Sequence, residues 1–297
     1  MRKQFAAAII SHYTDTQVFI TGDLGYMALE AVREKFGERF INAGVAEQNM
    51  VSMAAGMARE GLIPWLYSIS PFITLRPYEQ IRNDVCLHKL PVKLVGNGGG
   101  YGYGIMGSSH HNLEDIGIMR ILPNMKVYVP FVEKDVDDCV VQMLKDPNPN
   151  YLRLNIEAKL KEPIEPFRQW RKIKSGTKAV VIGTGPVLAN LFKQDYPVDD
   201  IEIWVVSLFP ITALPEALKQ AIRATGNVIT IEEHSGQCGL NETLAERILS
   251  AGIGNIKFNS LYAHGYPSGY YGDQNWHQEE NSLSGIPLTQ KLKQFIS

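Results

Sequence analysis

A single carboxylate, Glu47, stands in a stretch of mostly small and apolar residues that runs from Ile41 to Ala58. Such a stretch is typical of the buried start of a helix. An ionised carboxylate buried without a partner costs several kcal/mol, so Glu47 needs a partner, and a proton on a ligand would serve. A glutamate in a first helical turn is also favoured by the helix dipole. The stretch alone leaves a functional and a structural role for Glu47 equally open.

Two histidines, His110 and His111, follow a glycine-rich segment at 98–109. In α/β proteins, loops at the carboxyl ends of strands form binding sites. Histidine there suits proton transfer near neutral pH or hydrogen bonding to a sugar hydroxyl. Local capping or packing by His110 fits the pattern equally well. We expect no metal site, because adjacent residues seldom converge on one ion and no third ligand is evident.

Three further residues have types that suit ligand binding. Phe72 follows an apolar strand in a Ser-Pro-Phe turn at 70–72, where its ring can stack on a planar heterocycle, although most such rings belong to the core. Arg153 lies inside an apolar strand, which suits either an anion or sugar hydroxyl or an internal ion pair. Arg76 lies beside a predicted helix, where a surface salt bridge is the default role.

Two other motifs carry little weight. The segment 102–107 matches G-x-G-x-x-G, but it lies inside a loop and lacks the acidic residue that a dinucleotide site requires. No P-loop motif occurs. Glu232, Glu233 and His234 end a strand before a glycine turn, a pattern typical of interfaces or helix caps, and we expect no catalytic role for them.

Composition excludes several classes of protein. The net charge is −2 over 297 residues and there is no run of Lys or Arg, so we expect no nucleic-acid partner. The sequence contains no apolar run long enough to span a membrane and no signal-like start, so no membrane association is expected. Three scattered cysteines indicate no disulfide framework and fit a reducing, cytoplasmic location.

Strand-like and helix-like runs alternate, which predicts an α/β protein of two doubly wound domains with mainly parallel sheets. Residues 159–174 carry prolines and many charges without periodicity and indicate a linker. We therefore predict a first domain at 1–158, a linker at 159–175 and a second domain at 176–297. The predicted strands are 17–21, 40–42, 62–69, 92–95, 126–129, 151–154, 179–182, 203–206, 227–231 and 256–261. The predicted helices are 2–12, 26–36, one from Glu47, 78–88, 112–121, 133–144, 214–224, 241–251 and 288–295.

Together these segments resemble the transketolase family of thiamine-diphosphate enzymes, over nearly the whole chain. The Gly-Val-Ala-Glu-Gln run at 44–48 resembles the glutamate motif of the family's pyrimidine-binding domain. The segment at 70–72 resembles the one that places the cofactor-stacking aromatic, and Ser-His-His at 109–111 resembles its Thr-His-Gln segment. The second half, with Ser-Leu-Phe-Pro at 207–210 and Glu-Glu-His at 232–234, resembles the family's C-terminal domain.

The resemblance implies a role for each candidate residue. Glu47 would hydrogen-bond N1′ of the cofactor's aminopyrimidine and promote its imino tautomer. Phe72 would stack on that ring, and Arg76 is the third expected cofactor-binding residue. His110 would contact substrate hydroxyls and assist proton movements. The implied reaction transfers a two-carbon ketol unit from a ketose to an aldose or aldose phosphate.

The resemblance also places residues on the substrate side. Arg2 and Asp23 lie where the family has a substrate-side arginine and aspartate, and Arg153 matches an arginine that grips the substrate's phosphate. These three are the expected substrate-binding residues, together with His110.

Four positions depart from the family pattern. Met27 replaces a phosphate-contacting serine, and Leu75 replaces an aromatic residue near the pyrimidine. Gly98 and Met106 replace a histidine and an aspartate that read sugar hydroxyls. Each lost hydrogen bond is worth roughly 0.5–1.5 kcal/mol. These departures favour a modified sugar as donor or acceptor.

Nothing in the chain resembles the family's diphosphate-binding domain, with its Gly-Asp-Gly…Asn segment. We therefore expect one subunit of a split enzyme. An N-terminal partner subunit would hold the cofactor's diphosphate through Mg²⁺ or Ca²⁺, in a heterotetramer or around a homodimer of this chain, and the chain alone would be inactive. The alternatives are a deoxyxylulose-phosphate-synthase-like or 2-oxoacid-decarboxylating subunit, and a non-catalytic regulatory subunit.

Overall fold

The computed structural model describes residues 1–24, 29–156, 158, 160, 164–193 and 199–297. Strands and helices alternate through this part of the chain. The helices are α1 Arg2–Ser11, α2 Glu30–Phe36, α3 Glu47–Arg59, α4 Ser70–Leu75, α5 Tyr78–Gln80, α6 Asp115–Arg120, α7 Asp135–Lys145, α8 Glu216–Thr225, α9 Leu240–Ser250, α10 Gln274–Glu280 and α11 Gly285–Ile296. The strands are β1 Gln17–Thr21, β2 Phe40–Asn42, β3 Ile63–Ile69, β4 Lys93–Asn97, β5 Lys126–Tyr128, β6 Asn150–Leu154, β7 Trp170–Lys174, β8 Ala179–Thr184, β9 Ile201–Val206, β10 Leu208–Phe209, β11 Asn227–Ser235 and β12 Lys257–Ala263.

The first sheet has the strand order β10-β5-β6-β4-β3-β1-β2 and is parallel except for β10. Neighbouring side chains of a strand point to opposite faces. Thus Phe19 of β1 packs with Phe5 of α1 and Phe36 of α2, whereas Ile20 joins the apolar cluster that contains Met50 of α3. Helices cover both faces, which is why the strands are apolar throughout.

The second sheet has the order β12-β11-β8-β9-β7 and is parallel except for β7. One apolar cluster contains Leu66 and Leu94 of the first sheet together with Val180 and Ile182 of the second. Strand β10, from the second half of the sequence, pairs with β5 of the first sheet. The predicted α/β fold with two parallel-dominated sheets is confirmed, and the two halves share a core.

Strand β7 corrects the predicted linker. Residues 170–174 lie inside the range 159–175 and form the edge of the second sheet, paired with β9. The sequence did not predict this strand because its one fully buried side chain is charged. Arg171 is 1% exposed and its Nη2 lies 2.6 Å from Oδ2 of Asp135. A buried ion pair leaves no apolar pattern in the sequence.

Several helices differ from the predicted ones in type or in bounds. The expected turn at 70–72 is the first turn of helix α4, where Pro71 is tolerated because early helical N–H groups have no partner within the helix. The predicted helix at 78–88 is α5 followed by a π-helical segment, Ile81–Cys86. Helix α10 has no counterpart among the predicted helices. The start of the predicted helix at 26–36 falls on residues outside the described ranges.

Candidate active site

The carboxyl ends of β1, β3, β4 and β6 lie at one edge of the first sheet, because these strands are parallel neighbours. Asp23 follows β1, Phe72 follows β3, and the glycine-rich loop that carries His110 follows β4. Glu47 begins α3 beside the same edge, with Oε1 close to Gly22. The fold therefore brings three of the predicted site residues, Glu47, Phe72 and His110, to one place.

Glu47 is the first residue of α3 and is 5% exposed. Its partner is Arg76, whose Nη1 donates to both carboxylate oxygens at 2.9 and 3.0 Å. The Arg76 side chain is 42% exposed, so the pair opens to solvent on the arginine side only. The helix N-terminus further favours the charged carboxylate. The buried carboxylate thus has the partner that its apolar setting demands.

The same guanidinium covers the ring of Phe72. Cζ of Arg76 lies 3.7 Å from the ring centroid, within the range of a cation–π contact. Phe72 is only partly buried, so it does not have the core position that its residue type favoured. One planar, nitrogen-bearing group therefore stacks on Phe72 and hydrogen-bonds Glu47 at the same time.

His110 stands between two aromatic rings. Its ring centroid lies 5.3 Å from that of Phe72, edge to face, and 5.9 Å from that of Tyr103. Nδ1 hydrogen-bonds Oγ of Ser109 at 2.9 Å. Among the described residues, Nε2 has no hydrogen-bond partner, and the side chain is half-buried. This nitrogen can exchange a proton with a bound molecule.

Residues from the second half of the chain fix the glycine-rich loop in place by hydrogen bonds. Oε1 of Glu233, at the end of β11, accepts a hydrogen bond from the backbone N–H of Tyr101 at 2.7 Å. Gln274 and Gln278 donate to the same carboxylate. Gly100 has a φ of +65°, and a Cβ there would lie 2.7 Å from Cδ of Glu233, so only glycine fits. Glu233 is a structural anchor for the His110 loop.

The residues on either side of Glu233, which are Glu232 and His234, make different contacts. The carboxylate of Glu232 accepts from the backbone N–H groups of Leu240 and Asn241 and so caps helix α9. Burial raises the pKa of Glu232 to about 7, against the effect of these two donors. Nε2 of His234 accepts from the backbone N–H of Gly117 in α6. The expected capping and interface role of this motif is confirmed, although its link to the His110 loop was not foreseen.

His111 is an internal residue of the same loop. It is 4% exposed, with Nε2 donating to the carbonyl of Gly104 at 2.7 Å and Nδ1 facing the hydroxyl of Tyr266 at 3.0 Å. Burial lowers the pKa of His111 to about 4, with His277 and His110 acting in the same direction and the Gly104 hydrogen bond opposing them. His111 is therefore a neutral anchor of the loop at physiological pH.

The lowered pKa of His111 predicts that the folded chain loses stability at acid pH. Because the pKa is lower in the folded chain than the unfolded value of about 6.5, the stabilisation is complete above pH 6.5 and is lost as the pH falls towards 4. Between pH 6.5 and 4.5 the free energy of unfolding of the parent should fall. In His111→Gln this fall should be smaller by about 1–2 kcal/mol. Urea unfolding at each pH measures this. Replacing exposed His88 with Gln is the control, and equal pH slopes for the parent and His111→Gln would contradict the prediction.

Arg153 has a different place from the one expected. Its side chain is 1% exposed, and Nε donates to Oδ2 and Oδ1 of Asp115 at 2.8 and 3.1 Å. Nη2 donates to the carbonyl of Glu233 at 2.9 Å. The structure thus shows the internal ion pair that the sequence left as an alternative. Contact of Arg153 with a substrate phosphate stays a prediction.

Arg2 and Asp23 are both exposed. Arg2 opens helix α1, and Asp23 accepts a weak hydrogen bond from Asn42 at 3.4 Å. Leu75 and Met106 are 48% and 54% exposed, and Met27 lies outside the described residues. Neither Arg2 nor Asp23 hydrogen-bonds Glu47 or His110 in the described part of the chain, so their substrate role stays a prediction.

Among the described residues, no group of three or more His, Cys, Asp and Glu side chains is placed to hold a metal ion. None of the helices within the described ranges is long and apolar enough to cross a membrane.

A family model described as the pyrimidine-binding domain of transketolase matches residues 6–158. A putative transketolase C-terminal section from Methanocaldococcus jannaschii is 32% identical over 264 residues, which are 85% of this chain and 83% of that protein. One subunit of the apulose-4-phosphate transketolase of Actinobacillus succinogenes is 29% identical over 226 residues, 74% of this chain and 73% of its own length.

Two further similarities bear on the extent of the chain. A 1-deoxy-D-xylulose-5-phosphate synthase from Clostridium perfringens is 30% identical over 82% of this chain, which corresponds to 41% of the synthase. A solved structure described as a split-gene transketolase, in the form of an inactive tetramer, superposes with a TM-score of 0.82 at 26% identity. That match covers 99% of this chain and 97% of the other. The similarity therefore extends through both sheets.

Proposed function

The chain belongs to the transketolase family, and on that premise we propose that it is the C-terminal subunit of an enzyme that transfers a two-carbon ketol unit. The donor would be a ketose and the acceptor an aldose or aldose phosphate, with thiamine diphosphate as cofactor. The observation that carries the proposal is the arrangement of Glu47, Arg76 and Phe72. A buried carboxylate and a partly buried aromatic ring, both contacted by one planar nitrogen-bearing group, fit an aminopyrimidine ring.

The residues present would hold one end of the cofactor. Thiamine diphosphate, when bound, supplies a carbon nucleophile at C2 of its thiazolium ring. Glu47 would hold a proton at N1′ of the aminopyrimidine, and Phe72 would pack against the ring face. His110 would donate or accept a proton at the substrate's hydroxyl or carbonyl oxygen through Nε2. Arg2 and Asp23 would bind the substrate from the far side.

Exposed apolar side chains around the site support a partner subunit. Val45, Leu75, Ile105 and Met106 are 75%, 48%, 76% and 54% exposed, and each lies within five residues of Glu47, Arg76 or His110 in the sequence. Exposed apolar side chains close in sequence to the proposed site residues are suited to burial in an interface. The proposed partner is the N-terminal subunit, which would hold the diphosphate through Mg²⁺ or Ca²⁺. The assembly would be a heterotetramer or contain a homodimer of this chain.

Three cysteines without disulfides, two of them buried, support a cytoplasmic location.

Arg76 and the aminopyrimidine would compete for the same contacts with Glu47 and Phe72. The half-exposed Arg76 contributes about 1 kcal/mol through its ion pair and ring contact. We expect Arg76→Ala to bind thiamine diphosphate about fivefold more tightly in the assembled complex, since no competing group must leave. Calorimetric titration at saturating Mg²⁺ measures this. Arg82→Ala is the control, because Arg82 hydrogen-bonds only its neighbour Asn83 among the described residues. Weaker binding by Arg76→Ala would show instead that Arg76 contacts the bound cofactor.

The function itself is tested on the complex of this chain with the partner subunit, thiamine diphosphate and Mg²⁺. β-Hydroxypyruvate is the donor of choice, because apart from carbon dioxide it contains only the two-carbon unit. We expect cofactor-dependent consumption of β-hydroxypyruvate and transfer to an aldose. Consumption of pyruvate with release of carbon dioxide would favour the deoxyxylulose-phosphate-synthase-like or 2-oxoacid-decarboxylating alternative. If neither compound is consumed, the alternative that the chain is a non-catalytic regulatory subunit is favoured.

A further inference from the structure

The buried side chain of Asn112 joins the two segments that carry Phe72 and His110. It has no exposed surface, and Nδ2 donates to Oγ of Ser70 at 2.9 Å and to Oγ1 of Thr74 at 2.8 Å. Both hydroxyls belong to helix α4, whereas Asn112 follows His110 by two residues. Within the described residues, the loop at 98–112 makes no other hydrogen bond to α4.

Helix α4 has opposite faces towards Asn112 and towards the proposed site. Ser70 and Thr74 are four residues apart and therefore lie on one face of the helix. Phe72 lies two residues from each of them, about 200° around the helix axis, and so belongs to the other face. The hydrogen bonds of Asn112 thus tie the loop to the back of the helix whose front carries the ring of Phe72.

The groups around Asn112 require an amide N–H at this place. The hydroxyl of Thr74 donates to the backbone carbonyl of Ser70 at 2.8 Å, and the hydroxyl of Ser70 donates to Oδ2 of Asp115 at 3.2 Å. Each hydroxyl has one proton, so both oxygens act as acceptors towards Asn112. Oδ1 of Asn112 accepts from the backbone N–H of Glu114 at 3.4 Å. An amide satisfies these groups, and a carboxylate would face two oxygens without a proton between them.

The backbone of Asn112 fixes the other strand of the loop. Its N–H and carbonyl exchange hydrogen bonds with the carbonyl and N–H of Gly100, at 3.0 and 2.8 Å. The hydrogen bonds of Tyr101 and His111 attach the loop to the second half of the chain or to itself. Asn112 is therefore the residue that connects this anchored loop to α4.

We propose that Asn112 is a positioning residue, which clamps α4 to the loop and thereby holds the ring of His110 against that of Phe72. In this role Asn112 acts through the residues proposed to contact the cofactor and the substrate. Its effect on turnover rests on the proposed function, whereas the clamp is a property of the chain alone. The two are tested separately.

The clamp is tested on the chain without cofactor, by nuclear magnetic resonance of the histidine rings. The rings of Phe72 and His110 are 5.3 Å apart, edge to face, so the aromatic current of Phe72 shifts the ring protons of His110. His110→Gln assigns these signals, and Phe72→Leu shows their positions without the aromatic ring. In Asn112→Ala we expect them to move towards those positions, while the signals of exposed His88 stay in place. Unchanged His110 signals would overturn the clamp.

The effect on chemistry is tested on the assembled enzyme with β-hydroxypyruvate. We expect kcat to fall by about 10–100-fold in Asn112→Ala, since a misplacement of about 1 Å can cost this much. Ser70 keeps its hydrogen bond to Asp115, so α4 stays and the loop moves. The Kd for thiamine diphosphate should therefore change little.

A double-mutant cycle separates positioning from a general loss of stability. In a His110→Ala background, Asn112→Ala should lower kcat by less than about twofold, because its effect passes through His110. Equal losses of kcat in the two backgrounds would overturn the positioning role.

Gln17→Ala is the matched control. Gln17 is also fully buried, and its Nε2 donates to two oxygens, but it begins β1 and so lies at the opposite edge of the parallel sheet. This variant should lose stability and keep kcat and the His110 signals unchanged. If Asn112→Ala does not fold, Thr74→Val removes one acceptor at nearly the same shape. It should show both effects in smaller size, and neither effect in Thr74→Val would overturn the proposal.

The outcomes distinguish this proposal from the proposed function. If the assembled parent does not consume β-hydroxypyruvate, the proposed function fails, and the histidine signals of the chain alone still decide whether Asn112 is a clamp. If the parent is active and Asn112→Ala retains its kcat, only the positioning role is overturned.

Discussion

Replacing Glu47 with glutamine in the assembled enzyme is expected to lower turnover of β-hydroxypyruvate by about 10³-fold, within the range typical of a positioned acid–base group. Glutamine has nearly the same shape and can still hydrogen-bond, but it cannot hold and release a proton. Glu47 is 5% exposed at the start of α3, so water cannot readily replace it. Steady-state kinetics at saturating thiamine diphosphate measure the loss.

The control is Glu60→Gln at the other end of the same helix, where the side chain is exposed. It should leave turnover unchanged. Circular dichroism and cofactor titration establish that the Glu47 variant is folded and still binds thiamine diphosphate. Undiminished turnover in Glu47→Gln would show that the carboxylate has a structural role only. It would favour the alternative that the chain is a non-catalytic regulatory subunit.

Replacing Asp115 with alanine should lower the free energy of unfolding by about 3–5 kcal/mol, because it strands a buried guanidinium. The Arg153 and Asp115 side chains are 1% and 0% exposed. The carboxylate of Asp115 also accepts from the hydroxyls of Tyr151 and Ser70, so several buried donors lose their acceptor together. Urea unfolding of the chain measures the effect.

Lys219→Ala provides the comparison, since Lys219 pairs with exposed Glu216 on the surface of α8, and it should change stability little. The two possible roles of Arg153 then give opposite results for Arg153→Met. An internal ion pair predicts a large loss of stability. A phosphate-gripping arginine predicts an unchanged free energy of unfolding and a raised KM for phosphorylated acceptors only.

The sequence alone was sufficient where one physical constraint dominated. Strands β1 and β2 have the predicted bounds because each is a short apolar run, of three and two residues, flanked by polar residues. Glu47 was found because a carboxylate in an apolar helix start needs a partner. The sequence could not identify that partner as Arg76, because the contact depends on how α3 and α4 pack.

Other features depended on contacts between distant parts of the chain. Arg153 in an apolar strand indicated either a ligand or an internal partner, and only the fold placed Asp115 beside it. The anchoring of Tyr101 by Glu233 joins residues that are 132 positions apart. The close approach of the Tyr103 ring to Gly98 depends on loop conformation, to which residue type alone gives no guide.

The anchoring of the His110 loop also sets an order of events during synthesis. The strands β1 to β6 are complete once residue 154 has been made, but Glu233, Gln274 and Gln278 are added later. At about 5–20 residues per second, the ribosome needs roughly 7–26 s to move from Tyr101 to Glu233. Until then the loop lacks its acceptor. The half of the chain that carries Glu47 and His110 therefore cannot complete its site before the other half has been translated.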